Sequence, residues 1–300
     1  MGNKIKVYHY DAFSSLPNKG NPAGSVIDAD DLTDEEMQTI ASLVGFNETA
    51  FSVKSEIADI KLRYFTPGHE MDLCGHGTMA MIYALLSHGK WSKEDLTIET
   101  KAGILKVFVK GIKEGKFEIT MKQTAPEFEV FDGSIKELAE SIGILKEDID
   151  LNFPIVYGST GVWTLLIPIK NLETFQKMTP QNQLFPNLLQ ERPRASLHPF
   201  CLETYHADAM MHGRHFSSPY SGTVEDPVTG TASGVMGAYY AKYINKGLKE
   251  KETIRLIVEQ GQEINKDGKV LVEVCQLENE IEVQITGSAV YVKEWMFEYD

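Results

Sequence analysis

The chain has 300 residues, which is enough for two domains that each bury a core of their own. Its formal net charge is −14 and no basic stripe appears in any segment, which argues against nucleic acid as a partner because phosphate binding requires such a stripe. An apolar fraction of 42% and a charged fraction of 24% are typical of soluble globular proteins.

Metal, disulfide and membrane signals are weak. The three cysteines, Cys74, Cys201 and Cys275, are too few and too scattered for a disulfide framework. Cys74 and His76 are the only close Cys/His pair, and no further ligand stands near them in the sequence, so we expect no metal site. No apolar run approaches the ~18 residues of a membrane span, and the N-terminus has no signal-peptide core. We therefore expect a cytoplasmic protein with no membrane partner.

The first part of the chain is predicted to be rich in strands. Thr33-x-x-Glu36 has the pattern of a capping box, and apolar residues then recur at helical spacing until Gly45 ends the helix. A turn after this helix leads into a strand through Val53. Alternating apolar and polar residues predict further strands over 5–13, 25–29, 59–65, 96–100, 104–110 and 116–122.

The second part of the chain is predicted to hold another set of strands. Ser134-x-x-Glu137 has a second capping-box pattern and opens a helix that reaches Gly143. Two short helices and a proline-rich connection are expected between Lys170 and Met211. Strands are predicted over 154–158, 162–169, 253–259, 269–274, 281–286 and 289–292.

These elements predict the fold class and the domains. Strands in hairpin order with few helices indicate an α+β protein with mainly antiparallel sheets. We expect residues 1–125 to form an N-terminal lobe and residues 126–287 a C-terminal lobe. The C-terminal strand, at about 288–300, is expected to pack onto the first lobe. No low-complexity linker separates the two lobes.

One pattern occurs twice and organises the rest of the chain. Asp72–Leu86 (DLCGHGTMAMIYALL) begins with small and polar residues and becomes apolar after Thr78, which predicts a tight loop that enters a buried helix. Glu225–Tyr243 repeats this order, and similar Arg-aromatic-Phe segments precede both, at Arg63–Pro67 and Arg214–Pro219. The first amides of a helix have no internal partner and bind carboxylate or phosphate groups. We therefore expect each lobe to supply one helix N-terminus to a shared cleft.

Glu48 is a candidate acid or base. It lies between a glycine-terminated helix and an apolar strand, and Phe46 and Phe51 flank it. A carboxyl group beside apolar side chains is suited to pass protons at neutral pH. The alternative is an exposed glutamate at a strand end, which the residue by itself does not exclude.

The first glycine loop holds further candidates. Asp72 and His76 flank it, and His76 is expected at the second helical position, where it can bind a substrate carboxylate or assist a proton transfer. The alternative is a histidine that bonds a local backbone group. Cys74 precedes Gly75 at a helix N-terminus, a place that lowers a thiol pKa, and its alternative is a small buried residue.

The second glycine loop offers an acidic pair, Glu225 and Asp226, followed by the hydroxyls and amides of Thr229, Gly230 and Thr231. Ordinary N-capping is the alternative role of these residues, and it is compatible with ligand binding. The glycines of the first loop fit a dinucleotide fingerprint only loosely, because the flanking strands are predicted to be antiparallel. No Walker lysine follows either loop, so an NTPase is disfavoured as well.

Seven short segments occur in one order along nearly the whole chain: Asp11–Phe13 (DAF), Gly20–Pro22 (GNP), Asn47–Thr49 (NET), Arg63–Pro67 (RYFTP), Leu73–His76 (LCGH), Glu225–Thr231 (EDPVTGT) and Glu259–Gly261 (EQG). Together they resemble the PhzF-like phenazine-biosynthesis isomerase family, whose fold is that of diaminopimelate epimerase. The resemblance implies two pseudo-symmetric lobes, each a curled β-sheet around a central helix, with the active site between them.

The resemblance also implies a homodimer and cofactor-free proton transfer. It places Glu48 at the family's acid/base position and His76 and Asp226 at its substrate-contacting positions, so these three are our expected catalytic residues. The expected substrate-binding residues are Asn21, Gly75, Gly77, Thr229, Gly230 and Thr231, with Gly75 and Gly230 supplying amides to the substrate carboxylate. Thr231 stands where the phenazine enzyme has a serine.

One departure from the wider fold family bears on the reaction. Related racemases and epimerases use a cysteine from each lobe, whereas here Cys74 keeps the first place and Thr229 takes the second. We therefore expect an isomerase that moves a proton within a small carboxylate-bearing metabolite, with no metal and no cofactor. The alternatives are a non-catalytic binding protein for an anionic metabolite and, less favoured, an amino-acid racemase or epimerase.

Overall fold

The computed structural model describes residues 3–112, 115–246, 249–278 and 280–299. The chain divides into two compact units, Met1–Lys122 with Thr286–Asp300, and Gln123–Ile285. Within the described residues, no helix is long and apolar enough to cross a membrane.

The elements of the first unit are mostly strands. They are β1 (Asn3–Ala12), β2 (Asn21–Val26), α1 (Asp34–Val44), β3 (Thr49–Val53), β4 (Ile60–Phe65), β5 (Glu70–Met71), α2 (Gly75–Ser87), β6 (Asp95–Thr100), β7 (Gly103–Lys110) and β8 (Glu118–Lys122). The second unit continues with β9 (Glu127–Val130), α3 (Ile135–Ser141), β10 (Val156–Ser159), β11 (Trp163–Pro168), α4 (Phe185–Leu188), β12 (Ser196–Cys201), β13 (Met211–Gly213), β14 (His215–Phe216), β15 (Glu225–Asp226), α5 (Gly230–Tyr239), β16 (Thr253–Gln260), β17 (Gly268–Gln276) and β18 (Ile281–Gly287). The last strand, β19 (Ala289–Tyr299), belongs to the first unit.

Short helical turns connect several of these elements. Turns of 3₁₀ helix lie at Lys146–Asp148, Leu172–Lys177, Asn182–Leu184 and Gln262–Ile264. A single π-helical turn, Tyr240–Ile244, follows α5 directly.

The sheet of the first unit curls around α2. Its strands pair in the order β19-β1-β2-β3-β4-β6-β7-β8, and both end strands, β19 and β8, contact α2. The helix is apolar on nearly all sides, as a helix enclosed by a sheet must be, and Ala80 and Ala84 pack against Tyr10 and Ala23. The helix α1 covers the other face, where Met37 and Ile40 join a core with the strands.

The start and end of α1 follow from its sequence. The Thr33 hydroxyl accepts a hydrogen bond from the Glu36 amide at 3.2 Å, and the Glu36 carboxylate accepts one from the Thr33 amide at 2.7 Å. Gly45 ends the helix with a φ of 70°. The predicted capping box and C-terminal glycine are therefore confirmed, and Glu48 emerges from the turn that follows.

The second unit repeats this plan with α5 against its sheet. The strands pair in the order β9-β10-β11-β12-β13-β16-β17, and α5 contacts β10, β16 and β17. Glycine is required where helix and sheet meet, because a Cβ at Gly237 would lie 2.5 Å from Val272 and one at Gly158 2.7 Å from Val235. The predicted α+β fold, with a sheet around one central helix in each unit, is confirmed.

Some local predictions were wrong. The strand β12 was not predicted, because Ser196–Cys201 is buried on both faces and shows no alternation of apolar and polar residues. The start of β2 was predicted at residue 25 for the same reason, whereas the strand begins at Asn21. Ser134 caps α3, but Glu137 does not complete the capping box. Parallel pairing also occurs among the described strands, which the hairpin pattern did not predict; the pairs are β2–β3, β4–β6, β11–β12 and β13–β16.

Candidate active site

Glu48 is held by its backbone beside the start of the sheet. The turn after Gly45 carries it, and its carbonyl accepts a hydrogen bond from the Gly24 amide of β2 at 3.2 Å. Its side chain is only 15% exposed, so the alternative of a solvent-exposed strand-end glutamate is wrong. The carboxylate is therefore fixed in a partly enclosed position rather than free in water.

His76 meets this carboxylate from the first turn of α2. It is the second residue of that helix, and its Nε2 lies 3.0 Å from Oε2 of Glu48. The Sγ atom of Cys74 lies 3.6 Å from Nδ1 and 3.8 Å from Nε2 of the same ring. A carboxylate, an imidazole and a thiol are thus brought together at the N-terminus of a buried helix.

The charges of this trio are set by burial and by mutual attraction. Burial opposes protonation of His76, but Cys74 and Glu48 beside it raise the pKa of His76 well above its ordinary value. Burial and the Glu48 charge together raise the pKa of Cys74. Protonation is therefore favoured at both the His76 ring and the Cys74 thiol, so the thiol is neutral at neutral pH.

Of the two interpretations of Cys74, the small buried residue is the one that the structure supports, and a lowered thiol pKa is not. A helix N-terminus lowers a thiol pKa where the thiol is partly solvated, but here burial and the Glu48 carboxylate outweigh the helix amides. The thiol instead serves as the N-cap of α2, because Sγ accepts a hydrogen bond from the Gly77 amide at 3.3 Å. A Cβ at Gly77 would lie 3.1 Å from this sulfur, so glycine keeps the cap close.

The start of α5 carries a second polar cluster. The Thr229 hydroxyl donates a hydrogen bond to the Asp226 carboxylate, and the Thr229 amide donates to Oε1 of Gln260 at 3.1 Å. Nε2 of Gln260 in turn donates to the Asp226 carbonyl at 2.7 Å. Gln260 is 1% exposed, and its hydrogen bonds to the backbone of Thr229 and Asp226 fix the loop before α5. The alternative of ordinary N-capping is wrong for Thr229, because its hydroxyl is bonded to Asp226 and does not cap the helix.

The other expected binding residues lie at the ends of elements. Asn21 is the buried first residue of β2, and Gly230 is the buried first residue of α5. Thr231 is half-buried, and its carbonyl accepts a hydrogen bond from the Thr160 hydroxyl at 3.0 Å. At Gly75 an added Cβ would meet no heavy atom of the described residues within 4 Å, so there is room at the start of α2.

Each helix start is anchored by its own arginine–glutamate pair, and the two pairs are alike. The Arg63 guanidinium donates two hydrogen bonds to the Glu70 carboxylate, of 2.8 and 2.9 Å. The Arg214 guanidinium donates two to the Glu225 carboxylate, of 2.9 and 2.6 Å. Arg63 lies in β4 and Arg214 directly precedes β14, and each bonds a glutamate of the short strand that pairs with it, β5 or β15. The counterpart of Glu225 is therefore Glu70, not the acidic position at Asp72 that the sequence pattern indicated.

Sequence reasoning missed several of these residues. Gln260 was noted only as part of a motif. Its role was not predicted, because its partner Thr229 lies 31 residues earlier in the chain. The repeated arginines were a usable signal, since each is followed by its glutamate partner, 7 residues later for Arg63 and 11 residues later for Arg214. The sequence also showed no third ligand near Cys74 and His76, whereas the structure adds the Glu48 carboxylate, and the ligand atoms of all three lie within 4.8 Å of one another.

Comparison with known proteins decides the family. The family model described as phenazine biosynthesis-like protein, PhzC-PhzF, matches residues 10–295. The chain belongs to the PhzF family. The resemblance predicted from the sequence is thereby confirmed.

Relatives of this PhzF-family chain are isomerases. The "uncharacterized isomerase YfhB" of Bacillus subtilis is 54% identical over 289 residues, covering 96% of this chain and 97% of the relative. A Bacillus anthracis PhzF-family crystal structure superposes with a TM-score of 0.96 at 57% identity, covering 99% of this chain and 100% of the other. The trans-2,3-dihydro-3-hydroxyanthranilate isomerase of Pseudomonas chlororaphis is 27% identical over 241 residues, covering 79% and 81%. The PhzF-family chain is an isomerase.

Proposed function

We propose that the chain moves a proton between two carbons of a small carboxylate-bearing metabolite without a cofactor, with Glu48 as the acid and base. The observation that carries the proposal is the ion pair between Glu48 and His76 at the start of α2, with 3.0 Å between Oε2 and Nε2. The pair holds the Glu48 carboxylate in one place beside the first turn of α2. Fixed geometry of this kind is what a general base requires.

In the first step, Glu48 removes a proton from a substrate carbon and becomes a carboxylic acid. Negative charge then develops on the substrate, where the His76 imidazolium and the first amides of α2 stabilise it as preorganised dipoles do. In the second step, after its carboxyl proton has exchanged with solvent water, Glu48 delivers a proton to another carbon, so the enzyme is regenerated and no external reductant or oxidant is consumed. Cys74 takes no proton in this scheme, because burial and Glu48 raise its pKa.

The proposed site also uses the start of α5. Asp226 contacts the substrate, and Gly230 and Thr231 direct their amides to its carboxylate, with Asn21 and Gly77 completing the binding surface. Each helix start is anchored by its own arginine–glutamate pair, which supports a positioning role for both. A crystal structure with bound substrate or sulfate tests this point. If Gly75–His76 and Gly230–Thr231 lie more than roughly 15 Å apart, one small ligand cannot contact both and the shared site is refuted.

The proposal extends to the organisation of the protein. The lobes are residues 1–125 with the strand at about 288–300, and residues 126–287, and the substrate binds between them. The protein acts as a homodimer in the cytoplasm. Sedimentation equilibrium across a wide range of protein concentration tests the dimer, and a single monomeric species throughout would contradict it.

The substrate class follows from the related isomerase. Its name describes a partly reduced anthranilate that bears a hydroxyl group, and we propose that this chain acts on a carboxylate of similar size with an acidic carbon–hydrogen bond beside an unsaturated system. Unsaturation next to the reacting carbon spreads the charge that forms when the proton leaves, which lowers the barrier that Glu48 must overcome.

The test is a screen followed by isotope exchange. Candidate carboxylates are first ranked by their stabilisation of the protein against heat, since a ligand that binds only the folded state raises its melting temperature. Each hit is then incubated with enzyme in heavy water. We expect deuterium at one carbon of the product. A ligand that binds tightly and never exchanges, across the whole set of hits, would favour the alternative of a binding protein.

A further inference from the structure

Glu48, Cys74 and His76 present three different ligand atoms toward one another. Oε2 of Glu48 lies 3.0 Å from Nε2 of His76, and Sγ of Cys74 lies 3.8 Å from the same nitrogen. All three ligand atoms lie within 4.8 Å of one another. An oxygen, a nitrogen and a sulfur donor thus form a small triangle.

This triangle is close to one face of a tetrahedral zinc site. Zinc binds nitrogen and oxygen at about 2.0–2.2 Å and sulfur at about 2.3 Å, so neighbouring ligand atoms of a tetrahedral site lie about 3.3–3.6 Å apart. The separations from Nε2, 3.0 and 3.8 Å, fall on either side of that range. The third side, between the Glu48 oxygen and the Cys74 sulfur, is at most 4.8 Å, so side-chain shifts of up to about 1 Å bring all three donors to coordination distance.

We propose that Glu48, Cys74 and His76 form a binding site for Zn²⁺. Three protein ligands and an open fourth position, filled by water or by a substrate oxygen, are the coordination of many zinc enzymes. The thiol and the imidazole select zinc over Mg²⁺ and Ca²⁺, which require oxygen ligands. On binding, the thiol proton and one imidazolium proton pass to solvent, so that sulfur and nitrogen lone pairs coordinate the ion.

Zinc in this site inhibits the isomerase, and this consequence rests on the proposed function. The ion occupies a Glu48 oxygen and the His76 nitrogen, so the carboxylate has no free lone pair in position to take a proton from carbon. The same ion removes the imidazolium that pairs with Glu48. Removal of zinc by a chelator restores both groups, so inhibition is reversible.

Direct titration with zinc chloride tests the site without any substrate. The full chain is titrated by calorimetry beside the variants Cys74→Ser, His76→Asn and Cys275→Ser. Serine at position 74 still offers an oxygen to the Gly77 amide, so the helix cap survives the change. Cys275 is a half-buried thiol elsewhere in the chain, and its replacement is the matched control.

We expect one zinc ion per chain in the wild type and in Cys275→Ser. The affinity for zinc should fall by at least about 10²-fold in Cys74→Ser and His76→Asn. Loss of a residue that only hydrogen-bonds to a metal ligand already costs about 10–100-fold, and loss of a ligand itself should cost more. With Co²⁺ as the probe, a thiolate-to-metal absorption band should appear in the wild type and be absent from Cys74→Ser. Equal affinity in all four proteins, or loss confined to Cys275→Ser, would overturn the proposal.

A second measurement separates the metal site from the catalytic role. Deuterium exchange on a substrate is followed with zinc, and again after addition of a chelator. Exchange that stops with zinc and returns with the chelator supports both ideas. If zinc binds to the three residues and exchange continues, the metal site is supported and Glu48 is contradicted as the base. If zinc does not bind, the metal site is refuted and the proposed reaction is not affected.

Discussion

His212 makes the stability of the second unit depend on pH. It lies on β13 with its side chain 0% exposed, between two carboxylates, with Nδ1 3.3 Å from Oε1 of Glu259 and Nε2 3.1 Å from Oε1 of Glu263. Burial opposes its protonation, but the two carboxylates raise the pKa of His212 above its ordinary value. Burial likewise opposes ionisation of Glu263, but His212 lowers the pKa of that carboxyl. The fold therefore favours a protonated His212 between the two acids more than the unfolded chain does.

We predict that His212→Gln lowers the stability of the protein by about 3 kcal/mol near pH 6, the lower end for removal of one partner from a buried ion pair. Each kcal/mol lowers the melting temperature of a domain of 150–250 residues by about 2–4 °C, so the fall should be about 6–12 °C. The matched control is His206→Gln, because His206 also pairs with a carboxylate, Asp267, but is 36% exposed. Exposed pairs contribute about 0–1 kcal/mol, so this change should shift the melting temperature by only a few degrees.

The sign of the pH dependence follows from the raised pKa of His212. The stability that its charge contributes is fully present below the unfolded pKa of about 6.5 and is lost as the pH rises through the folded pKa. The difference in melting temperature between wild type and His212→Gln should therefore narrow from pH about 6 toward alkaline pH. Differential scanning calorimetry at several pH values measures it. A difference that does not change with pH, or a control effect of equal size, would refute an ionic role for His212.

Two further variants test the site and its anchors. Cys74→Ala should keep most of the isomerase activity, since the neutral thiol acts as a helix cap and not as a base. Substrate turnover measures this, and a loss as large as that of Glu48→Gln would support the racemase mechanism instead. Arg214→Gln should lower the stability by about 3 kcal/mol, because it leaves Glu225 buried without its partner. Arg255→Gln removes an exposed side chain of β16 that also pairs with a glutamate, and it should cost less than about 1 kcal/mol. Thermal unfolding measures both losses, and equal losses would contradict the anchor.

The parts of the fold that depend on nearby residues could be predicted from the sequence. The capping box at Thr33 and the glycine at position 45 fixed the limits of α1, because both act within one helical turn. The apolar run after Thr78 indicated a helix enclosed on all sides, as α2 is. Glu48 and His76 were both selected as candidates, and the structure brings their side chains together.

The parts that depend on distant residues could not be predicted. The strand β12 is buried on both faces by elements far away in the chain, so its sequence carries no period. The reversal of the Cys74 pKa comes from burial and from Glu48, neither of which is visible at the helix start itself. The His212 site likewise joins acids about 50 residues away, since Glu263 and Glu259 lie on a later segment.

The central claim is that Glu48 carries the proton, and Glu48→Gln tests it most directly. Glutamine keeps the shape of the side chain and removes its capacity to take a proton, while Glu56→Gln, at an exposed position nearby, is the control. Substrate binding by calorimetry and deuterium incorporation from heavy water are measured on all three proteins. We predict that Glu48→Gln binds substrate, loses at least ~10²-fold in turnover and incorporates no deuterium, with the control unchanged. Full turnover in Glu48→Gln would contradict the mechanism.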